Sequence, residues 1–308
     1  MKPWTEFDFS DVVPEHVAEI PGHLAQIAYP EHFKTVMGLF LPIYKAKERS
    51  ERALALTYEL IELNPAYYFV WDFRFEIVRA IGSDVFDYKL VGLTPSAPAQ
   101  PETSEDGEFV NQFTLSKSKN YQIWNYRALL LDRHNELWYR GEKLIVSMVL
   151  EDDAKNFHAW SHLRWVITQS VKHAPQAFDA VQLLADCTAL LLEDVFNNSV
   201  WAYRFFLLKT YPSLFDIDEE LKLVTAHIAS APSNESAWSY LSGVLDDKAS
   251  STTAATSSAV QFALAFQDEP LALQFLAEHA QENVSTYYSL LAEKEPFAKS
   301  FWLAQVAE

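Results

Sequence analysis

Glycine and cysteine are what this chain has least of. Seven glycines among 308 residues, against 21 Phe, 14 Tyr and 9 Trp, are too few for a sandwich of many tight turns and suit long, closely packed helices. The single cysteine, Cys187, lies in the apolar stretch 183–192. It excludes an internal disulfide and a CxxC motif, and it fits a reducing compartment, hence a cytoplasmic location. Basic charge is also short: 24 Lys and Arg against 42 Asp and Glu give a net charge of −18. An acidic surface repels phosphate backbones, so nucleic acid is not an expected partner. There is no run of 18 apolar residues and no apolar N-terminal core, so neither a membrane span nor a signal peptide is expected. The C-terminal residues Gln305 to Glu308 carry no lipidation motif. A Gly-rich phosphate loop, an HExxH pair and a nucleophile–base arrangement are all missing. His158 and His162, at i and i+4, share a helical face but have no third ligand near them in sequence, so no metal site is expected on this chain.

What is present is a repeat. Asn120, three residues, then Trp124 returns as Asn156 before Trp160, Asn197 before Trp201 and Asn234 before Trp238. An earlier copy centres on Trp71, with Tyr67 in the Asn place. The tryptophans are spaced by 53, 36, 41 and 37 residues, and three of those gaps have the period of stacked supersecondary repeats. The long first gap is one loop insertion.

Read in order, residues 1–30 are Pro-punctuated without helical period, an arm whose Trp4, Phe7 and Phe9 need a surface on the body or on a partner. Apolar spacing predicts helices over 30–45, 48–63 and 71–81, then 121–133, 137–150 and 157–171. Further helices are expected over 176–193, 199–209, 217–229 and 235–245. Residues 92–107, rich in Pro and acids, read as a solvated insertion, and 248–258 as a loose low-complexity turn. Two last helices, 259–280 and 284–307, would cap the stack. The expected domains are an arm with a first helix (1–46), the repeats (47–247) and C-terminal capping helices (248–308). The fold class is all-α, a solenoid of helical hairpins.

Trp71 and Arg74, Trp124 and Arg127, and Trp201 and Arg204 are three apart, on one helical face. Their expected role is packing between repeats, and the Asn before each Trp is expected to cap its helix. The third copy departs from the pattern with Leu163 in the Arg place, which puts its tie in doubt, and the fifth has Leu241. Beside these sit Lys119, Tyr121, Gln122, Lys155, Phe157 and His158, at the starts of two consecutive helices. There, helix N–H groups together with Lys and His would make an anion site within an acidic protein. The ordinary alternative is that Lys119 and Lys155 are merely solvated and His158 packs.

The stretches 49–53 (RSERA), 119–124 (KNYQIW), 153–160 (DAKNFHAW), 197–201 (NNSVW), 234–238 (NESAW) and 27–33 (IAYPEHF) together resemble the protein prenyltransferase α-subunit repeat. The likeness covers most of the chain, fades after about Lys248, and follows the wording of the group that serves farnesyltransferase and type I geranylgeranyltransferase. It implies a crescent-shaped right-handed αα-superhelix that wraps a catalytic β subunit as an obligate heterodimer. The implied reaction moves a farnesyl or geranylgeranyl group from its diphosphate to the cysteine of a C-terminal CaaX sequence. Zn2+ is expected on the β subunit, where it activates the substrate thiol, and Mg2+ remains open as an assisting ion. By match to the family motif, Lys119 would lie against the diphosphate and offset charge on the leaving group, with Tyr121 and His158 beside it as donors. Gln122 would reach the CaaX carboxylate. Phe157 stands where the family usually has Tyr. Which isoprenoid is used would be set by the β subunit. The α subunit of Rab geranylgeranyltransferase shares these repeats, and a non-enzymatic helical-repeat scaffold stands as the alternative of a different class.

Overall fold

A computed structural model of the chain describes residues 2–15, 27–82, 89–91, 100–102, 105–131, 136–173, 175, 179–212, 215–246 and 252–306. The chain forms two compact units, Met1–Phe178 and Asp179–Glu308. The first contains α1 (Glu31–Lys45), α2 (Glu51–Leu63), α3 (Tyr68–Ile81), α4 (Glu105–Ser116), α5 (Tyr121–Leu130), α6 (Glu136–Asp152) and α7 (Phe157–His173). The second contains α8 (Ala180–Glu193), α9 (Asn198–Thr210), α10 (Ile217–Ser230) and α11 (Glu235–Asp246). It continues with α12 (Thr253–Ala263), α13 (Pro270–His279), α14 (Val284–Lys294) and α15 (Lys299–Val306). Between α3 and α4, β1 (Lys89–Val91) and β2 (Gln100–Glu102) pair antiparallel, Lys89 opposite Glu102. The fold is all-α, and five helical hairpins are the repeats: α2–α3, α4–α5, α6–α7, α8–α9 and α10–α11.

The repeated residues hold the hairpins in three ways. Each indole N–H donates to the carbonyl six residues back: Trp71 to Pro65, Trp124 to Ser118, Trp160 to Ala154, Trp201 to Val195 and Trp238 to Pro232, at 2.7–3.0 Å. That bond satisfies a buried donor and closes the turn between the two helices. Each Asn caps the second helix: the side chains of Asn120, Asn156, Asn197 and Asn234 accept from backbone N–H groups two or three residues on. The amide of the same Asn reaches back to the preceding repeat. Asn120 Nδ2 donates to the Pro65 carbonyl, Asn156 Nδ2 to Ser118 Oγ and Asn234 Nδ2 to the Val195 carbonyl. Finally the indole faces the next repeat, two residues past its own Trp: Trp71 lies 5.2 Å from Tyr126, Trp124 5.1 Å from His162 and Trp201 5.1 Å from Tyr240.

The arginines are buried inside this packing. Arg74, Arg127 and Arg204 each donate to a threonine of their own repeat's first helix, Thr57, Thr114 and Thr188. Arg127 and Arg204 also form two-pronged ion pairs with Glu142 on α6 and Glu220 on α10. The repeats lacking the Arg do not lack a tie. Leu163 and Leu241 are buried apolar residues, and the polar contact moves one place earlier. His162 Nε2 meets Glu142 at 2.6 Å and Tyr240 Oη donates to Glu220 at 2.6 Å. The doubt raised by Leu163 is thereby resolved: the third repeat is tied through His162.

Four expectations are corrected at the elements. Residues 259–280 are not one helix: α12 ends at Ala263, a single 3-10 turn follows, and Pro270 opens α13. The stretch 284–307 is likewise broken, at Pro296, between α14 and α15. Proline lacks the N–H a helix interior needs and suits the first turn of a new helix, so both breaks follow from chemistry that the apolar spacing hides. Within 248–258, α12 already begins at Thr253: Thr252 Oγ1 caps it, and Ala255, Ala259 and Ala263 make a buried face of small residues. Residues 247–251 lie outside the described part. In the Pro-rich insertion, Gln100–Glu102 form β2 and Glu105 starts α4, while 92–99 lie outside the described part.

The arm packs on the body. Arg52 of α2 donates to the Asp8 carbonyl at 2.8 Å and grips the Asp11 carboxylate at 2.6 and 2.9 Å. Glu15 N–H donates to the Gly38 carbonyl in α1. A Cβ at Gly38 would stand 2.9 Å from the Glu15 carbonyl oxygen, so only glycine allows this approach. At the other end, Trp238 is covered by Phe262, Phe266 and Phe275, which take the place of a further repeat.

Candidate functional site

The residues singled out by sequence gather where the turns of two hairpins meet α5 and α7 in the first unit. Asn120 and Asn156 fix the starts of these helices, their side-chain oxygens accepting from Ile123 N–H and Ala159 N–H, each at 3.0 Å. The residues flanking the caps point outward as a consequence. Tyr121 and Phe157, the first residues of α5 and α7, are 70% and 71% exposed, an unusual state for aromatic rings unless something covers them. His158 lies edge-on to Tyr121, ring centres 4.3 Å apart, and meets Phe157 at 5.7 Å. Lys119 reaches across the two turns, its ammonium 3.3 Å from Asp153 Oδ2. Lys119, Tyr121, Phe157 and His158 therefore form one edge, as the sequence predicted.

Gln122 sits at the rim of that group. Its amide donates to the Ala66 carbonyl of the α2–α3 turn at 3.4 Å, so it spans toward the preceding hairpin. A shallow pocket beside it is lined by Pro65, Lys117, Ser118, Lys119 and Asn120.

The electrostatics suit an anion without being strongly cationic. Lys119 pairs with the Asp153 carboxylate, whose second oxygen accepts from the Lys155 backbone N–H at 3.4 Å, and Lys117 lines the pocket beside Lys119. Partial burial lowers the His158 pKa below its ordinary value, which keeps the imidazole neutral at pH 7 with one N–H to donate. The first turns of α5 and α7 add their positive dipole ends. Asp153 is the site residue that sequence reasoning missed. Its position in the DAKNFHAW stretch, with its backbone carbonyl accepting from Asn156 N–H in the tight turn, was the available signal.

Below the edge lies an inner polar cluster. Glu142 is fully buried, and burial alone would raise its pKa. The Arg127 charge and the His162 hydrogen bond outweigh that penalty and hold the carboxyl well below the usual carboxylate range. His162 thus ties α7 to Glu142. Among the described residues no group of three or more His, Cys, Asp or Glu is placed to hold a metal ion, and no helix is long and apolar enough to cross a membrane.

Comparison with known proteins gives this arrangement a context. The family model described as "Protein prenyltransferase alpha subunit repeat" matches residues 50–81, 104–134, 139–170, 181–211 and 217–247, the five hairpins. The Candida albicans protein farnesyltransferase/geranylgeranyltransferase type-1 subunit alpha is 31% identical, over 99% of this chain and 98% of its own length. A chain of the solved structure of Candida albicans protein geranylgeranyltransferase-I complexed with GGPP superposes with a TM-score of 0.80 at 30% identity, covering 99% of both chains. The human geranylgeranyl transferase type-2 subunit alpha matches less: 28% identity, over 64% of this chain and 34% of that protein.

Proposed function

The chain belongs to the protein prenyltransferase alpha subunit family, and from that premise we propose that it is the α subunit of a heterodimeric CaaX protein prenyltransferase. In this reading it pairs with a catalytic β subunit and serves the transfer of a farnesyl or geranylgeranyl group from its diphosphate to a CaaX cysteine. The near full-length likeness to a type-1 α subunit, against partial likeness to a type-2 one, favours CaaX substrates over the Rab alternative. An edge carrying Lys119 and His158 favours an enzyme subunit over a passive scaffold.

The observation that carries the chemistry is the meeting of Lys119, Tyr121 and His158 on one edge, joined by the 4.3 Å ring contact. As the bond between the isoprenoid and its diphosphate breaks, negative charge grows on the leaving group. The Lys119 ammonium offsets that charge, an interaction stronger in the transition state than in the ground state, so its effect falls on rate more than on affinity. Tyr121 Oη and the neutral His158 imidazole supply hydrogen bonds to the same group, and Gln122 takes the CaaX carboxylate. Phe157, with no hydroxyl, contributes surface only. In this reading the zinc that family resemblance implies sits on the partner subunit.

Co-expression with candidate β subunits, followed by transfer assays on CaaX peptides with farnesyl and geranylgeranyl diphosphate, tests the proposal. Transfer confined to the co-purified pair supports it and names the donor. A chain that pairs with no β subunit, or pairs without transfer, overturns it.

A further inference from the structure

Glu142 stands between the two helices that carry the site. On one side Arg127 of α5 closes on both carboxylate oxygens, with Nε at 3.0 Å from Oε2. On the other, His162 of α7 meets the same Oε2 at 2.6 Å. Arg127 lies six residues beyond Tyr121, about 9 Å along the helix axis, and His162 one turn beyond His158. Arg127 is further held by Asn111 Oδ1 at 2.9 Å and Thr114 Oγ1 at 3.2 Å on α4. One carboxylate thus fixes the mutual register of α5 and α7 from beneath, while the Tyr121–His158 contact joins them at the surface.

We propose that Glu142 and His162 are positioning residues for the reaction: by locking α5 against α7 they set the spacing between Lys119–Tyr121 and His158 at which the three groups act together on the diphosphate. This rests on the functional reading above. The argument is geometric. Lys119 and Tyr121 flank the start of one helix and His158 lies in the first turn of the other, so any slip between the helices separates them directly. The exposed ring contact between Tyr121 and His158 cannot prevent such a slip. A buried ion pair with a directional hydrogen bond can, because sliding the helices would strand a charge away from water.

The molecule supplies its own control. In the second unit the same tie recurs as Arg204–Glu220–Tyr240, with Tyr240 Oη 2.6 Å from Glu220. The starts of α9 and α11 in that unit carry neither Lys nor His. The tie is therefore a general device, and only in the first unit does it support the candidate site. The recurrence also shows that tyrosine can replace histidine in it.

The test measures single-turnover transfer and farnesyl or geranylgeranyl diphosphate affinity in the reconstituted heterodimer, for Glu142→Gln, His162→Phe, His162→Tyr, Glu220→Gln and Lys119→Ala. The expected result is a rate loss of about tenfold or more in Glu142→Gln and His162→Phe, the scale of a sub-ångström to ångström misplacement. Diphosphate affinity should change by less than about threefold, in keeping with an effect confined to the transition state. His162→Tyr should recover most of the rate, and Glu220→Gln should leave it unchanged. A folded His162→Phe heterodimer that reacts at the wild-type rate overturns the proposal. So does a Glu220→Gln loss equal to that of Glu142→Gln. Should Glu142→Gln fail to assemble, the His162 pair of variants decides. A wild-type rate in Lys119→Ala instead overturns the reading of the site itself.

Discussion

The two compact units use one framework and differ at their edges. In both, an Asn caps the second helix of a hairpin, a Trp closes the turn, and an Arg meets a buried Glu on the next hairpin. In the first unit the residue before the Asn is Lys119 or Lys155, and those after it are Tyr121-Gln122 or Phe157-His158. In the second unit the same places hold Phe196 or Ser233, and Asn198-Ser199 or Glu235-Ser236. The inward half of the repeat is committed to packing, while the outward half of the same helical turn is left to chemistry. Framework and candidate site are thus written in interleaved residues of the same helical turns.

The sharpest way to break this comparison is through the shared half. Arg127→Ala and Arg204→Ala each leave a buried carboxylate without its main counter-charge, and each should cost about 3–5 kcal/mol of stability by denaturant melts. A large loss in one unit and none in the other would show that the frameworks are not equivalent. The Glu142 carboxyl adds an acid limb to that experiment. Its native pKa is depressed, so its contribution is complete above the unfolded carboxylate value of about 4.3. That contribution is lost progressively as pH falls below that value toward the depressed one, and Glu142→Gln should flatten this limb.

The outward half should respond in the opposite way. Lys119→Ala should slow single-turnover transfer roughly a hundredfold, the size expected for removing one preorganised stabilising group, with no change in melting behaviour. Smaller again is the cap. Asn120→Ala removes the N-cap bond and the amide bond to Pro65, and Asn197→Ala likewise removes a cap, each costing about 1–2 kcal/mol. The smallest effect belongs to Asp153→Asn. The Lys119 side chain is 79% exposed in that pair, so stability should shift by less than about 1 kcal/mol. The freed ammonium should tighten diphosphate binding.

Much of the framework was legible in the sequence because each of its residues recurs. Four Asn–x3–Trp copies gave the hairpins and the caps, and Trp–x2–Arg gave the buried face. The carboxylates at Glu142 and Glu220 were not legible: they sit 15 and 16 residues from their arginines, on helices that also carry exposed acids such as Glu151, Asp152, Asp218 and Glu219, and nothing local marks them. In sequence His162 shows only its spacing from His158 on one helical face, because sequence does not show which helix lies opposite. Helices α12–α15 were misread for a related reason. Apolar spacing runs through Pro270 and Pro296, and the breaks those prolines impose had to outrank it. At the site, Lys119, Tyr121 and His158 were legible as a group at helix starts, whereas the pairing of Lys119 with Asp153 depends on how two turns lie side by side.

The indole bond closing every hairpin has an optical consequence. Each repeat holds a tryptophan, at 71, 124, 160, 201 and 238, whose N–H meets a carbonyl inside a turn. Local opening of a hairpin would hydrate that indole and shift its emission to the red. Variants whose sole remaining tryptophan, of the nine in the chain, is one of these five would therefore report the loosening of one hairpin at a time. A chain whose five emission shifts share one midpoint melts as a whole, and one whose tryptophans at 71, 124 and 160 part company from those at 201 and 238 melts in two pieces.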